Sequence, residues 1–170
     1  MPLQNKVYTT PHAGEPGGLA TTEASWLKNI VPGARAVEPV NCGYFVFKAD
    51  APEGADAGIQ EQFVASKGTE IAGFVYRLQD GCLPCSEGST LAYAAGRIVP
   101  VAVAGAFYAI AETAISAGTQ VYTDADTGKL YADPSDNSDS DSDEEEPTLI
   151  PTGFVAQTSA AAGELVIICK

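Results

Sequence analysis

The sequence predicts an all-β protein: a small β-sandwich or jelly-roll-like barrel with an extended N-terminal arm and a disordered acidic loop. Short runs of alternating apolar residues recur along the chain, and no long segment has a convincing helical period. The chain also contains 17 glycines and 11 prolines, enough to end strands and form turns at short intervals. This combination is typical of short strands joined by brief loops.

Residues 1–40 are expected to form the arm, and residues 41–170 the sandwich domain. The stretch PHAGEPGGLA, residues 11–20, supplies turn residues but no hydrophobic period. Such an arm buries little of itself, so it either packs on its own domain or reaches a neighbour. Four apolar side chains within it are our candidate contacts with a partner or a second copy, although Trp26 also fits a core or arm anchor: Leu3, Val7, Tyr8 and Trp26.

Strand-like runs follow in a regular series after the arm. GYFVFKA, residues 43–49, is the clearest because its side chains alternate between two faces. Residues 62–65 form a short candidate strand, and EIAGFVYR, residues 70–77, forms another. The GFV of this last run recurs at residues 153–155, which is compatible with two equivalent strands but too short to prove a duplication.

The most apolar part of the chain is the segment of residues 96–132. Two candidate strands there, residues 97–104 and 106–111, flank Gly105 and are either joined by a tight turn or form one bent strand. TQVYT and KLYA then flank Asp124–Gly128, which predicts a hairpin with glycine at the position that needs a positive φ. A final strand pair is predicted at residues 153–157 and 164–169.

The formal net charge of −13 is concentrated in one insertion. The acidic loop, residues 133–147, holds eight of the 22 acidic residues and no Lys or Arg. The remaining 14 acidic and 9 basic residues give the body a net charge of −5. The loop is therefore expected to be mobile and exposed. Without a basic patch, direct binding of nucleic acid is not expected.

The sequence gives no sign of export or membrane insertion. The first 18 residues lack an apolar run of signal-peptide length. The apolar stretch of residues 98–115 is interrupted by Pro100, Gly105, Glu112 and Thr113, unlike a membrane helix. Four cysteines in such a chain are expected to be reduced thiols and not a disulfide framework.

No complete site for chemistry emerges from the residues. Cys82 and Cys85 have zinc-knuckle or redox spacing, but a second close ligand pair is missing, so a turn is favoured. Asp124–Gly128 resembles part of a calcium loop, but Ser135 stands where the acidic twelfth residue belongs. His12 is the sole histidine, so a serine-protease-type triad cannot be assembled convincingly. We therefore predict that the protein is not an enzyme and has no cofactor or metal.

The chain resembles the structural cement, or capsid decoration, proteins of tailed bacteriophages. The resemblance covers nearly the whole chain and departs from the family at the acidic loop and at residues 21–28. It is carried by the order of these segments: MPLQNKVYTT, GYFVFKAD, AGFVYR, GRIVPVAVAGAFYAIAE, ISAGTQVYTDADTGKLYA and TGFVAQTSAAAGELVIICK.

The resemblance implies a β-sandwich of jelly-roll kind that serves as a structural virion protein. Such a protein would be made in the bacterial host cytoplasm, bind the outside of an icosahedral shell and bridge neighbouring major capsid protein subunits. The resemblance favours a homodimer and leaves a homotrimer open. The alternative from another class is a receptor- or glycan-binding module on the virion surface.

Overall fold

The computed structural model describes residues 14–20, 27–30, 33–54, 62–77, 83–84, 91–134 and 147–170. Within these ranges the chain forms fifteen strands and no α-helix, which confirms the predicted all-β class. In chain order the strands are β1 (Lys28–Asn29), β2 (Ala34–Ala36), β3 (Val40–Asn41), β4 (Phe45–Ala49), β5 (Gln62–Ala65), β6 (Ile71–Val75), β7 (Leu83–Pro84), β8 (Leu91–Tyr93), β9 (Ile98–Val99), β10 (Val101–Ala104), β11 (Ala106–Ile110), β12 (Gln120–Asp124), β13 (Leu130–Tyr131), β14 (Leu149–Ala156) and β15 (Leu165–Cys169). Among the described residues there is no helix with the length and hydropathy of a membrane span.

The strands form three sheets. The seven-stranded sheet has the order β1-β10-β6-β4-β5-β2-β9, and the five-stranded sheet has the order β11-β15-β14-β12-β13. The third sheet is small and has the order β3-β8-β7. All pairings are antiparallel except that of β2 with β5, whose Arg35 lies opposite Phe63.

The seven-stranded sheet closes on itself through one extended stretch of chain. Strand β9 pairs with β2, whereas β10 pairs with β6 at the other side of the sheet. Only Pro100 separates β9 from β10. The Pro100 carbonyl accepts a hydrogen bond from the Tyr76 N–H at 3.2 Å. The ladder of backbone hydrogen bonds therefore continues across Pro100, although proline has no backbone N–H to donate. The sheet is therefore a small barrel.

Small and β-branched side chains fill the interior of this barrel. The sequence places them on alternate strand positions, as a pleated sheet with one face inward requires. The buried cluster includes Ala34, Ala36, Val46, Val64, Val99 and Val101. Side chains of this size fit the narrow lumen of a barrel with few strands.

Aromatic side chains fill the space between the barrel and the five-stranded sheet. Phe45 of β4 lies 5.2 Å from Phe74 of β6 and 5.5 Å from Phe154 of β14, measured between ring centroids. Phe107 of β11 completes the cluster at 5.1 Å from Phe74. Strands β4 and β6 are thus buried on both faces, which gives the sandwich-like arrangement predicted from the sequence.

The two GFV segments belong to different sheets, β6 and β14, and are not equivalent strands of one sheet. What they share is a phenylalanine that packs on Phe45.

Gly105 also has a role that the sequence left open. The chain passes there from the seven-stranded to the five-stranded sheet, so β10 and β11 neither pair nor form one bent strand of a single sheet. Gly105 has φ +144° and exchanges two backbone hydrogen bonds with Lys170.

Within the segment predicted as an arm, three short strands pair with the rest of the protein. Strand β1 pairs with β10, β2 pairs with both β5 and β9, and β3, which begins at Val40, pairs with β8. Residues 14–20 lie beside β11. The division of the chain into an arm and a domain at residue 40 stays a prediction.

The Glu38 carboxylate, just after β2, is hydrogen-bonded to Ser66, just after β5. Oε1 accepts a hydrogen bond from the Ser66 N–H at 2.8 Å and another from the Ser66 hydroxyl at 2.6 Å. These two bonds stabilise the charged form and hold the pKa of Glu38 below its ordinary value of 4.5.

Replacing Glu38 with glutamine is expected to reduce the dependence of stability on pH in the acidic range. Because the folded pKa of Glu38 is lowered, its contribution is present above the ordinary value of 4.5 and is lost as the pH falls. At pH 7 the loss should be about 1 kcal/mol, since the group is partly exposed. Urea unfolding of both proteins at pH 7 and pH 3 measures the difference. Equal losses of stability on acidification would contradict this role.

Candidate interaction surface

The contact side chains predicted from the sequence lie outside the described residues, so their role stays a prediction: Leu3, Val7, Tyr8 and Trp26. The same is true of three residues considered for chemistry: His12, Cys82 and Cys85. The described residues that border these segments show where each segment joins the body of the protein, and the candidate surface is built from them.

Residues 14–20, here called the edge segment, run antiparallel along β11, with Leu19 opposite Phe107. The Gly17 N–H donates to the Tyr108 carbonyl at 2.8 Å, and the Tyr108 N–H donates to the Gly18 carbonyl at 2.9 Å. Strand β11 is an edge of the five-stranded sheet. The edge segment therefore pairs with backbone groups that would otherwise be open to another chain.

Two further contacts fix the beginning of the edge segment. Gly14 lies flat against the ring of Tyr108, so closely that a Cβ at residue 14 would overlap the ring. Glu15 forms an ion pair with the Arg77 side chain. The backbone N–H of Arg77 also donates a hydrogen bond to the Gly17 carbonyl at 2.7 Å. Residues 1–13 consequently join the body at a defined place, beside β11 and the end of β6.

Exposed apolar side chains lie on both sides of the bend at Gly105. Leu19 of the edge segment is 45% exposed, and Val103 of β10 is 37% exposed. Ala20 lies beside Ala106, and Leu27 lies beside Gly105. Residues 21–26, which include Trp26, connect these two positions. The sequence offered no signal for Leu19. Val103 lies two residues from the buried Val101 and on the same face of β10, so the alternation of the strand does not predict its exposure.

The calcium-like segment Asp124–Gly128 is a hairpin turn, as the sequence favoured. Asp124 is buried, and its carboxylate accepts bonds from the Thr127 hydroxyl at 2.6 Å and from the Asp126 N–H at 3.2 Å. The Gly128 N–H donates to the Asp124 carbonyl at 2.9 Å, with φ +69° at Gly128. Among the described residues no group of three or more acidic, His or Cys side chains is placed to hold a metal ion.

The acidic loop is described only at its two ends, near β13 and before β14. At the first end the Tyr122 hydroxyl donates to Asp133 Oδ2 at 3.3 Å. Loss of solvent around the half-buried ring, followed by the charge of Asp133, raises the pKa of Tyr122. At the other end Ala125 donates its N–H to the Thr148 carbonyl at 2.9 Å. Both ends of the loop are therefore fixed to the five-stranded sheet.

Comparison with known proteins gives one match over almost the whole chain. A family model described as structural cement protein (E217 gp24/Pam3 gp6) matches residues 3–169. Among solved structures, a similar chain is the head fiber gp8.5 N base of bacteriophage phi29, with 14% sequence identity and a TM-score of 0.41 over 84% of this chain and 92% of that chain. No curated protein matches. The extent of the family match leads to one conclusion: the chain belongs to the structural cement proteins, a non-enzymatic family of phage virion proteins.

Proposed function

We propose that the protein binds the outer surface of an icosahedral phage capsid and bridges neighbouring major capsid protein subunits. The observation that carries this proposal is the family match over residues 3–169. A staple across a joint between subunits adds contact area where internal pressure would open the shell. Repetition at many equivalent sites multiplies a modest gain per site. A homodimer, or else a homotrimer, would engage several capsid subunits at once.

The fixed beginning of the edge segment supports a role for residues 1–13 as a clamp. Those residues start from Gly14, which is held against Tyr108. A fully extended chain of that length spans at most about 45 Å, far enough to reach an adjacent subunit. Leu3, Val7 and Tyr8 would supply the apolar contacts of such a clamp. The exposed Leu19 and Val103 would extend the contact area around Trp26.

The position of the acidic loop supports an orientation for the bound protein. Both described ends of the loop are fixed to the five-stranded sheet. Eight carboxylates in one stretch repel the packaged nucleic acid and each other. We place the five-stranded sheet on the side that faces solvent, where this charge is hydrated at least cost.

The test is reconstitution on expanded capsids that lack the protein. We expect the purified protein to co-sediment with these capsids and to raise their disruption temperature in differential scanning calorimetry. The same protein without residues 1–10 should bind at least tenfold more weakly, because the clamp is lost. Absence of binding by the intact protein would contradict the proposed function. Equal binding by the shortened protein would contradict only the role of the clamp.

A further inference from the structure

The five-stranded sheet has an apolar outer face. On β11, Tyr108 and Ile110 alternate with side chains that are fully buried in the core, so these two residues point away from it. Tyr108 pairs with Ile167 of β15, and Ile110 pairs with Leu165 of the same strand. Directly paired residues project to the same face of a sheet, so these four side chains lie together on the side opposite the core.

Strands β11, β14 and β15 contain no charged residue. An antiparallel sheet with one face in water normally carries polar side chains at its outward positions. Here those positions hold half-buried apolar side chains instead, which is the composition of a surface that another segment covers. We call this surface the outer apolar face and define it by five residues: Tyr108, Ile110, Val155, Leu165 and Ile167.

The size of the outer apolar face suits a single extended segment. Three strands of five residues cover about 14 by 17 Å, or roughly 240 Å². A stable contact between two proteins buries about 800 Å² on each partner. The net charge of −13 on each chain also opposes the approach of a second copy. Both the area and the charge therefore favour one strand-like segment as the occupant.

The described chain begins on this face. Gly14 lies against the Tyr108 ring, so closely that a Cβ at residue 14 would overlap it. Residues 1–13 therefore start from the outer apolar face. Tyr8 is six residues before Gly14, and an extended chain of that length reaches at most about 21 Å. Every part of the face is within this range.

We propose that residues 1–13 of the free protein lie across the outer apolar face of their own chain. Leu3, Val7 and Tyr8 supply apolar side chains for the contact, and the segment contains no acidic residue. Its attachment at Gly14 gives it an effective concentration of about 1 mM on the face. A separate molecule would need a similar concentration to compete with it.

This placement goes beyond the proposed function and does not depend on it. Where both hold, the capsid and the outer apolar face compete for the same residues, so capsid affinity falls with the fraction of clamps held on the face. Release of the clamp exposes roughly 240 Å² of apolar surface, which is within the few hundred Å² that soluble proteins tolerate. The face can therefore hold the clamp reversibly.

Cleavage at Lys6 by the protease Lys-C measures whether the segment is held. Lys6 is the sole lysine in residues 1–13. Ile167→Asp places a charge in the outer apolar face, whereas the control Ile98→Asp places the same charge at a 60% exposed position of the barrel. We expect cleavage at Lys6 at least tenfold faster than in the wild type for Ile167→Asp, and at the wild-type rate for Ile98→Asp. Equal rates in all three folded proteins would contradict the proposal.

A second measurement needs no substitution in the sheet. Methyl NMR spectra of the full chain are compared with those of the protein without residues 1–10. We expect shift changes at Ile110, Leu165 and Ile167, and none at Ile98. Unchanged shifts on the outer apolar face would overturn the proposal. Shifts that depend on protein concentration, together with a dimer in light scattering, would also overturn it, because a second copy would then cover the face.

The two experiments use the free protein, so their outcome is separate from that of the capsid experiment. If the wild-type protein does not bind capsids, the proposed function fails, whereas the protection of Lys6 and the methyl shifts still decide the placement of residues 1–13. If capsids are bound but Lys6 is cut equally fast in all three proteins, the proposed function stands and the placement on the outer apolar face is wrong.

Discussion

Replacing Phe107 with alanine is expected to lower the free energy of unfolding by about 3–5 kcal/mol. The side chain is fully buried between the barrel and the five-stranded sheet. Its ring centroid lies 5.1 Å from that of Phe74, 5.8 Å from that of Tyr76 and 6.4 Å from that of Phe154. The substitution removes transfer free energy and also leaves a cavity that rigid neighbouring strands cannot fill.

Urea unfolding measures this effect, and Ile167→Ala provides the control. Ile167 of β15 is only partly buried, and the strand positions on either side of it point into the core. Its truncation should cost about 1 kcal/mol. A loss of less than about 2 kcal/mol for Phe107→Ala would contradict the view that the aromatic cluster joins the two sheets.

Replacing Gly128 with alanine is expected to destabilise the protein by about 3 kcal/mol, through two separate effects. The backbone at Gly128 has φ +69°, where a side chain costs about 1 kcal/mol. In addition, a Cβ at residue 128 would overlap the backbone oxygen of Phe45. The Phe45 N–H donates to the Gly128 carbonyl at 2.8 Å, so separating the hairpin from β4 also weakens that bond.

The control variant Gly163→Ala separates the cost of the positive φ from the cost of the overlap with Phe45. Gly163 has φ +81°, and a Cβ there would meet nothing within 4 Å. This control should therefore lose only the conformational part, about 1 kcal/mol. Thermal and urea unfolding of the two variants give the difference. Equal losses at both positions would show that the contact between the β12–β13 turn and β4 is not tight.

The strands whose sequences alternate were predictable, because their pattern is local. The expected strand at residues 62–65 is β5, and the predicted hairpin on either side of Asp124–Gly128 is the β12–β13 pair. The final pair of strands was also predicted, although β14 begins earlier, at Leu149. In each case two or more alternating side chains and a flanking turn residue identify the strand without knowledge of its partner.

The barrel was not predictable from local patterns, because its closure depends on distant partners. Residues 97–104 looked like one strand, and residues 98–104 belong to strands except at Pro100. Nothing in that stretch reveals that its first half pairs with β2 and its second half with β6. Strands β1, β2 and β3 have two or three residues each, too few to show a period within the segment interpreted as an arm.

The candidate surface was predictable only in part, for the same reason. An exposed Ile98 follows from the alternation of Val99 and Val101, which point into the barrel. Its neighbours across the sheet come from β2 and β5, so the register of these strands had to be known before Arg35 and Phe63 could be placed beside it. The clamp residues predicted from the sequence stay a prediction that the binding experiments test.

A density map of capsids decorated with this protein tests the central claim most directly. We expect density for the protein on the outside of the shell, across joints between neighbouring major capsid subunits. The five-stranded sheet with the acidic loop should face solvent. Density inside the shell, or density confined to the centre of single subunits, would contradict the proposal that the protein bridges the capsid lattice.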